Sequence, residues 1–385
     1  MNSYVRILNL DEARTKSLFL FGPRLTGKTS LLKHQFPDSP YYDLLQASVF
    51  YNLSRRPSLL REECIRHFQQ QKTPIIIDEI QKLPLLLDEV HSLIESHGGT
   101  FILTGSSARK LKHGGANLLG GRARTRHLFP CVFPEITDFN ILRVVNFGTI
   151  PSIYTSTDPQ EDLIAYCGNY LKEEIQAEGF VRKMDGFSRF LQVAALCNAE
   201  LINYDSLASD TGIASKTVQG YFGILEDTFI GSTLKPYRKT VHRKAISTAK
   251  FYFFDVGVSN CLAERWRITP KSELFGKSFE HFIFTELRAY LDYKRDHRPL
   301  CFWRDHQGHE VDFVIGDDIA IEVKATDMVS EKHLKGLKIF TEEIKCKHKL
   351  VVSCDERPRL IGDITILPWK IFLENLWAGE YGESS

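Results

Sequence analysis

Ser17-Leu-Phe-Leu-Phe21, Gly22-Pro23-Arg24-Leu25-Thr26-Gly27-Lys28-Thr29 and then Ser30 to Phe36 read as a short apolar strand, a loop bracketed by glycines, and a helix. The loop has the form Gly-x-x-x-x-Gly-Lys-Thr in the strand-loop-helix setting that its chemistry requires. Its glycines let backbone N–H groups wrap a β-phosphate. Lys28 can reach the β- and γ-phosphates, and the Thr29 hydroxyl can hold Mg²⁺ at a helix N-terminus whose dipole favours anions. Gly22 to Ser30 is therefore the expected binding loop for ATP and Mg²⁺.

Working outward, Pro74-Ile-Ile-Ile77-Asp78-Glu79 is a continuous apolar run ending in two acids, which suits a strand buried on both faces of a parallel sheet. Asp78 is expected to hold Mg²⁺ from behind its ligand shell, and Glu79 to orient the hydrolytic water. A further strand, Thr100 to Thr104, ends in Gly105-Ser106-Ser107, where a polar side chain could sense the γ-phosphate. Between Ser96 and Pro134 there is no acid, while Arg109, Lys110, Lys112, Arg122, Arg124 and Arg126 fall inside. Arg122, after Gly120-Gly121, is the expected γ-phosphate arginine, acting in cis or from a neighbouring subunit; Arg124 and Arg126 compete for the role.

In the middle of the chain, Asp158-Pro159-Gln-Glu161 supplies an N-cap, a first-turn proline and a capping acid. The helix it opens carries Leu163, Tyr166, Cys167, Tyr170 and Leu171 as an ordinary core stripe. Over residues 204–230 a short helix breaks at Gly212, Ser215 is expected to cap a second, and Val218, Tyr221, Phe222 and Leu225 form the buried stripe of the second. This pattern predicts a helix-turn-helix. Lys216, Thr217 and Gln219 would face a DNA groove. Lys235, Arg238, Lys239, Arg243, Lys244 and Lys250, with no acid between Thr228 and Phe254, would form a basic wing. Helix pairs of this kind also make protein contacts, so DNA and a protein partner both stay open.

Near the C-terminus, Glu310-Val-Asp312-Phe-Val-Ile315, Gly316-Asp-Asp318 and Ile319-Ala-Ile-Glu322-Val-Lys324 read as a hairpin with a three-residue turn. Pairing Ile315 with Ile319 sets Asp312 opposite Glu322 and puts Lys324 on the same face. Two opposed carboxylates repel unless a proton or cation lies between them, and such an oxygen pair suits Mg²⁺. The competing reading is a strand pair with charges on its wet face.

The 385 residues allow two or three domains, and a net charge of +1 confines any nucleic-acid contact to local patches. The eight cysteines include no Cys-x-x-Cys pair, which argues for reduced thiols and against a zinc site. There is no apolar signal core and no apolar run of membrane-spanning length, so the expectation is a soluble, cytoplasmic protein without membrane contact.

The order of these motifs resembles a large bacterial and archaeal family of predicted AAA+ ATPases whose C-terminal domain, of unknown function, looks like a PD-(D/E)xK nuclease. The resemblance runs from Gly22–Thr29 through Ile77-Asp-Glu-Ile-Gln81-Lys82-Leu-Pro84, Leu103-Thr-Gly-Ser-Ser107, Leu119-Gly-Gly-Arg122, Phe133-Pro-Glu135, Tyr170-Leu-Lys-Glu-Glu174, Thr217-Val-Gln-Gly-Tyr221 with Leu225-Glu-Asp-Thr-Phe229, Phe253-Phe-Asp255-Val-Gly257 and Phe279-Glu280 to the 310–324 hairpin. Val311 stands where the nuclease motif has proline. The resemblance implies an α/β protein: a P-loop AAA+ core with a five-stranded parallel sheet over 1–135, a helical and winged-helix segment over 136–248, and an α/β nuclease-like domain over 249–385. It adds Glu280 as a third acid beside Asp312, Glu322 and Lys324. The function implied is an ATP-hydrolysing protein that engages DNA, with Mg²⁺-dependent phosphodiester cleavage at that site. The alternative is a nucleotide-dependent DNA- or protein-binding regulator with an inactive nuclease-like domain. A homo-oligomer is compatible with either.

Overall fold

A computed structural model describes residues 4–70, 73–109, 111, 119–170, 175, 184–240, 243 and 245–382. Lys110, Lys112, Leu171 to Glu174 and Lys244, all singled out above, lie outside the described residues.

The first sheet contains β1 (Ser17–Phe21), β2 (Tyr41–Asp43), β3 (Ile75–Asp78), β4 (Phe101–Gly105) and β5 (Ala123–His127), in the order β2-β3-β4-β1-β5. Every pairing is parallel. β1, β3 and β4 are buried at each position, the consequence of apolar runs covered by helices on both faces. Alternate residues feed separate cores. Phe19, Phe21, Ile75, Ile77, Phe101 and Leu103 pack with Leu60, Leu86 and Val90, while Leu18, Leu20, Ile76 and Ile102 pack with Leu31 and Leu32. Because the strands are parallel, their C-terminal ends bring the glycine loop, Asp78, Glu79 and Thr104 to one edge.

The second sheet has eight strands in the order β12-β13-β11-β10-β9-β8-β6-β7. These are β6 (Gly231–Pro236), β7 (Lys250–Phe253), β8 (Leu300–Arg304), β9 (Glu310–Ile315), β10 (Ile319–Lys324), β11 (His348–Ser353), β12 (Arg359–Ile361) and β13 (Ile364–Pro368). β6 pairs in parallel with β8 and antiparallel with β7. The boundary drawn at residue 248 therefore cuts through one sheet: without β6 the edge of β8 would lose its Lys235–Cys301 and Pro236–Phe302 pairings.

The helices Tyr204–Thr211 and Ser215–Asp227 are joined through Gly212, whose φ of 68° closes the first helix. Val218, Tyr221, Phe222 and Leu225 are buried as expected, against Phe187 and Phe190 of the helix Met184–Leu196. Lys216, Thr217 and Gln219 are exposed. Ser215 is the first helical residue and not the cap, a position taken by Ala214. The Asp158 cap forms, but its helix ends at Ala165 and gives way to a wider turn over Tyr166–Tyr170.

The helix Glu273–Lys294 joins the two halves. It touches β5 of the first sheet, β10 of the second and the helices Ile141–Phe147 and Trp369–Ala378. Its buried Glu286 accepts bonds from Phe133 N at 2.9 Å and Trp377 Nε1 at 2.7 Å. Burial outweighs both bonds and pushes its pKa up from 4.5 to about 8. Folding thus takes up a proton at Glu286. Its share of stability is fully present below pH 4.5 and is lost as pH rises to about 8. Melting temperatures measured from pH 5 to 8 should fall more for the wild type than for Glu286→Gln; parallel curves would remove this assignment.

Candidate functional site

The loop between β1 and the helix Lys28–Gln35 is shaped by local sterics. Gly22 lies so close to the chain leaving β5 that a Cβ would meet Leu128 O at 2.3 Å, and Gly27 adopts φ 93°. Arg6 Nη1 donates to Thr26 O at 2.5 Å and holds the loop from outside. Lys28 Nζ donates to Gly22 O at 2.7 Å and Pro23 O at 3.0 Å, so the ammonium lies along the loop it is expected to serve. Pro23 is buried, Arg24 half-buried and Leu25 exposed; Thr29 and Ser30 stand exposed at the mouth.

Asp78 connects the loop to the sheet. Its carboxylate accepts from Thr29 Oγ1 at 2.8 Å and from the hydroxyls of Tyr41 and Thr104. Burial, then the bond to Asp78, raises the Tyr41 pKa, so the phenol remains a neutral donor. Glu79 follows in left-handed backbone, φ 62°, a conformation unusual outside glycine. That twist turns its side chain toward Gln81 and Ser106: Gln81 Nε2 donates to Glu79 Oε2, and Ser106 Oγ lies 3.4 Å from it. Gln81 Oε1 is buried without a hydrogen-bond partner, and a Cβ on Gly105 would meet it at 2.6 Å. Glycine loop, hydroxyl and carboxylates form a hard-oxygen site with an anion cradle, which fits a nucleotide and Mg²⁺. Tyr41, Gln81 and Thr104 were missed as partners; Thr104 ends an apolar strand, which was its only signal.

The arginines of the acid-free stretch are committed elsewhere. Arg122 pairs with Glu95 at the surface. Arg124 and Arg126 pair with Glu12, at 2.5 and 2.6 Å, and face away from the role they were set to contest. Arg109 pairs with Asp227 at 2.7 Å.

The second cluster lies on β9 and β10. Ile315 pairs with Ile319 as expected, but the ladder stops at Phe313–Ile321. Beyond it, Asp312 turns its carboxylate to accept Val323 N at 2.8 Å. Asp312 and Glu322 are both 6% exposed, which excludes the wet-face reading. Lys324 Nζ lies 2.6 Å from Glu322 Oε1 and 3.9 Å from Asp312 Oδ2. Burial and then Asp312 hold Glu322 well above the ordinary carboxylate range, against the pull of Lys324. Glu322 Oε2 is buried and has no hydrogen-bond partner.

Glu280 joins this cluster from the helix Glu273–Lys294 but is already engaged, accepting from Tyr252 OH at 2.7 Å and Lys250 Nζ at 3.2 Å. Lys250 also lies 2.5 Å from Glu310. The basic wing is corrected accordingly. Lys250 is buried, its charge favoured by Glu280, Tyr252 and Glu310 against the cost of burial. Lys239 pairs with Asp317, and Arg243 with Glu342. Arg238 donates to Ser247 O. A cavity of about 410 Å³ opens beside the cluster, with Lys250, Lys277, Glu280, Arg304 and Glu310 in its wall. Among the described residues no three His, Cys, Asp or Glu side chains close around one point.

Three family models match successive segments of the chain. Residues 14–137 match the family described as AAA domain; residues 139–268 and 275–372 match two domains of unknown function, DUF8612 and DUF4143. An uncharacterized protein of Methanocaldococcus jannaschii is 20% identical over 94% of this chain and 86% of its own length. Another, from Haemophilus influenzae, is 23% identical over 57% of this chain and 58% of its own. A solved Walker-type ATPase of Pyrococcus abyssi aligns with 66% of this chain and 96% of its own, at 15% identity and a TM-score of 0.43. The N-terminal unit is thus similar to AAA domains, and no helix among the described residues is long and apolar enough to cross a membrane.

Proposed function

We propose that the chain hydrolyses ATP, that nucleotide state is passed to DNA contacts on the helix Ser215–Asp227, and that Asp312, Glu322 and Lys324 form a phosphodiester-cleaving site. The observation that carries the proposal is the shared loop after β4. Ser106 contacts the Glu79–Gln81 pair, and two residues on, Ala108 N donates to Asp227 O at 3.0 Å while Arg109 pairs with the Asp227 carboxylate. Phe229, just past that helix, stacks on Phe21 of β1 at 5.3 Å. A change at Glu79 therefore has a short path, through hydrogen bonds and the loop after β4, to the end of the helix that presents Lys216, Thr217 and Gln219.

In hydrolysis, Lys28 leaves the loop carbonyls for the β- and γ-phosphates, and Glu79 accepts a hydrogen bond from the attacking water. Thr29 and Asp78 would hold Mg²⁺, which supplies neutralisation of phosphate charge. Arg122 is proposed as the γ-phosphate contact from a neighbouring subunit, which requires it to leave Glu95.

At the second site, the orphaned Glu322 oxygen and the Asp312 carboxylate fit a hard cation that keeps much of its water, as Mg²⁺ does. Such an ion would polarise the phosphate and acidify bound water. Lys324 orients the attacking water or stabilises charge on the phosphate. A second reading, a regulator that binds without cutting, is favoured by Lys250, which already neutralises Glu280 and Glu310.

Lys28→Ala should lose ATP turnover, and Glu79→Gln should bind ATP yet turn it over about 10²–10⁴-fold more slowly; turnover unchanged in either variant would refute the hydrolytic assignment. For the second site, plasmid and linear DNA are incubated with Mg²⁺, with and without ATP. Cleavage by wild type and none by Asp312→Ala is expected. Equal inertness of the two, with DNA binding intact, selects the regulator.

A further inference from the structure

We propose that the cleft between β5 and the helix Glu273–Lys294 binds a phosphate-bearing small molecule, with Arg288 as its principal anion contact. This cavity, about 360 Å³, is walled by both halves of the protein and shares no residue with the glycine loop. Its volume is within the range of roughly 300–1,000 Å³ typical of small-molecule pockets.

The charge pattern selects an anion. Arg124, Arg126 and Arg295 all converge on the single carboxylate of Glu12, and Arg126 and Arg295 line the cleft. Of the two acids in the wall, Asp292 pairs with His127 of the same wall at 2.7 Å, and Asp296 with Arg298 outside it at 2.5 Å. Arg288 remains. Its guanidinium lies over the Phe129 ring, 5.4 Å from the centroid, and it donates no hydrogen bond to any described residue. Burial is the largest influence on it and lowers its pKa; Asp292 and Glu226 oppose this only through space. The Glu226 carboxylate itself accepts from Thr233 N at 3.0 Å.

Arg288 is half-buried and opens onto the cleft, so its N–H donors can exchange water for a bound anion there. Its planar fork matches phosphate geometry, and the surplus of cations over free carboxylates suits a dianion. The imidazoles of His127 and His297 add donors at the walls. Occupancy would also reach the nucleotide loop, because Leu128 N donates to Phe21 O at 2.8 Å and Leu128 O abuts Gly22.

Calorimetric titration of the full chain carrying Lys28→Ala, which disables the glycine loop, reads this cleft alone. Pyrophosphate and AMP serve as probes and distinguish a phosphoanhydride from a phosphomonoester as the preferred group. At least one should bind, and adding Arg288→Gln should weaken it by about tenfold, the loss of one charge-assisted bond. Absence of binding by both probes, or equal affinity in a folded Arg288→Gln protein, overturns the proposal. Should Arg288→Gln fail to fold, the half-exposed Arg295→Gln decides: weakened binding supports the site, and unchanged affinity overturns it.

Discussion

The helix Glu273–Lys294 must be covered on nearly every side, and the rest of the structure is arranged around that need. Phe275, Phe279, Phe282, Ile283, Phe284, Leu287, Tyr290 and Leu291 are buried on it. A helix apolar around most of its circumference cannot rest on a surface. Each such side chain contributes about 1.5–3 kcal/mol when fully buried. One side packs on β10, another on the helix Trp369–Ala378, and the remainder against β5 and the chain leaving the first sheet. The core around it runs without a break from Cys131 to Tyr381. The N-terminal sheet and the C-terminal sheet are thus joined by packing and not by a linker alone.

Polar groups caught in this packing are paired across long sequence distances. Arg6 and Glu135 meet at 2.8 Å, with Tyr293 OH 3.4 Å from Arg6, which ties the N-terminus, the exit from the first sheet and the long helix together. Lys250 does the same between Glu280 and Glu310. A buried charge deprived of its partner costs several kcal/mol. These clusters therefore penalise any displacement of one half against the other. Half-buried Arg288, by contrast, donates no hydrogen bond to any described residue and lines a cavity.

The legibility of the site followed sequence distance. Gly22 to Ser30 is contiguous, and its loop, helix and strand could be read from spacing. The hairpin register was legible because a three-residue turn leaves only one pairing of Ile315. The outward face of the helix Ser215–Asp227 followed from the apolar stripe opposite it. Pairings were not legible. Lys250 read as a wing cation because nothing nearby in the chain marks Glu280 or Glu310 as its partners. Arg124 and Arg126 read as phosphate contacts because Glu12 is more than a hundred residues upstream. The boundary at residue 248 failed for the same reason: β6 pairs with β8 across a long intervening segment.

The amino-acid order by itself determined the parallel sheet of the N-terminal unit, the glycine loop with its lysine and threonine, the acids at the end of β3, and the pairing of Ile315 with Ile319 in the hairpin. Each depends on local backbone geometry and on the two- and 3.6-residue periods of strand and helix. Tertiary structure decided which charges are neutralised. It placed Lys250 among the acids, turned the arginines of β5 onto Glu12, brought the loop after β4 to Asp227, and left Arg288 facing a cleft. Coulomb attraction and desolvation depend on distance in space, and composition alone carries no measure of that distance.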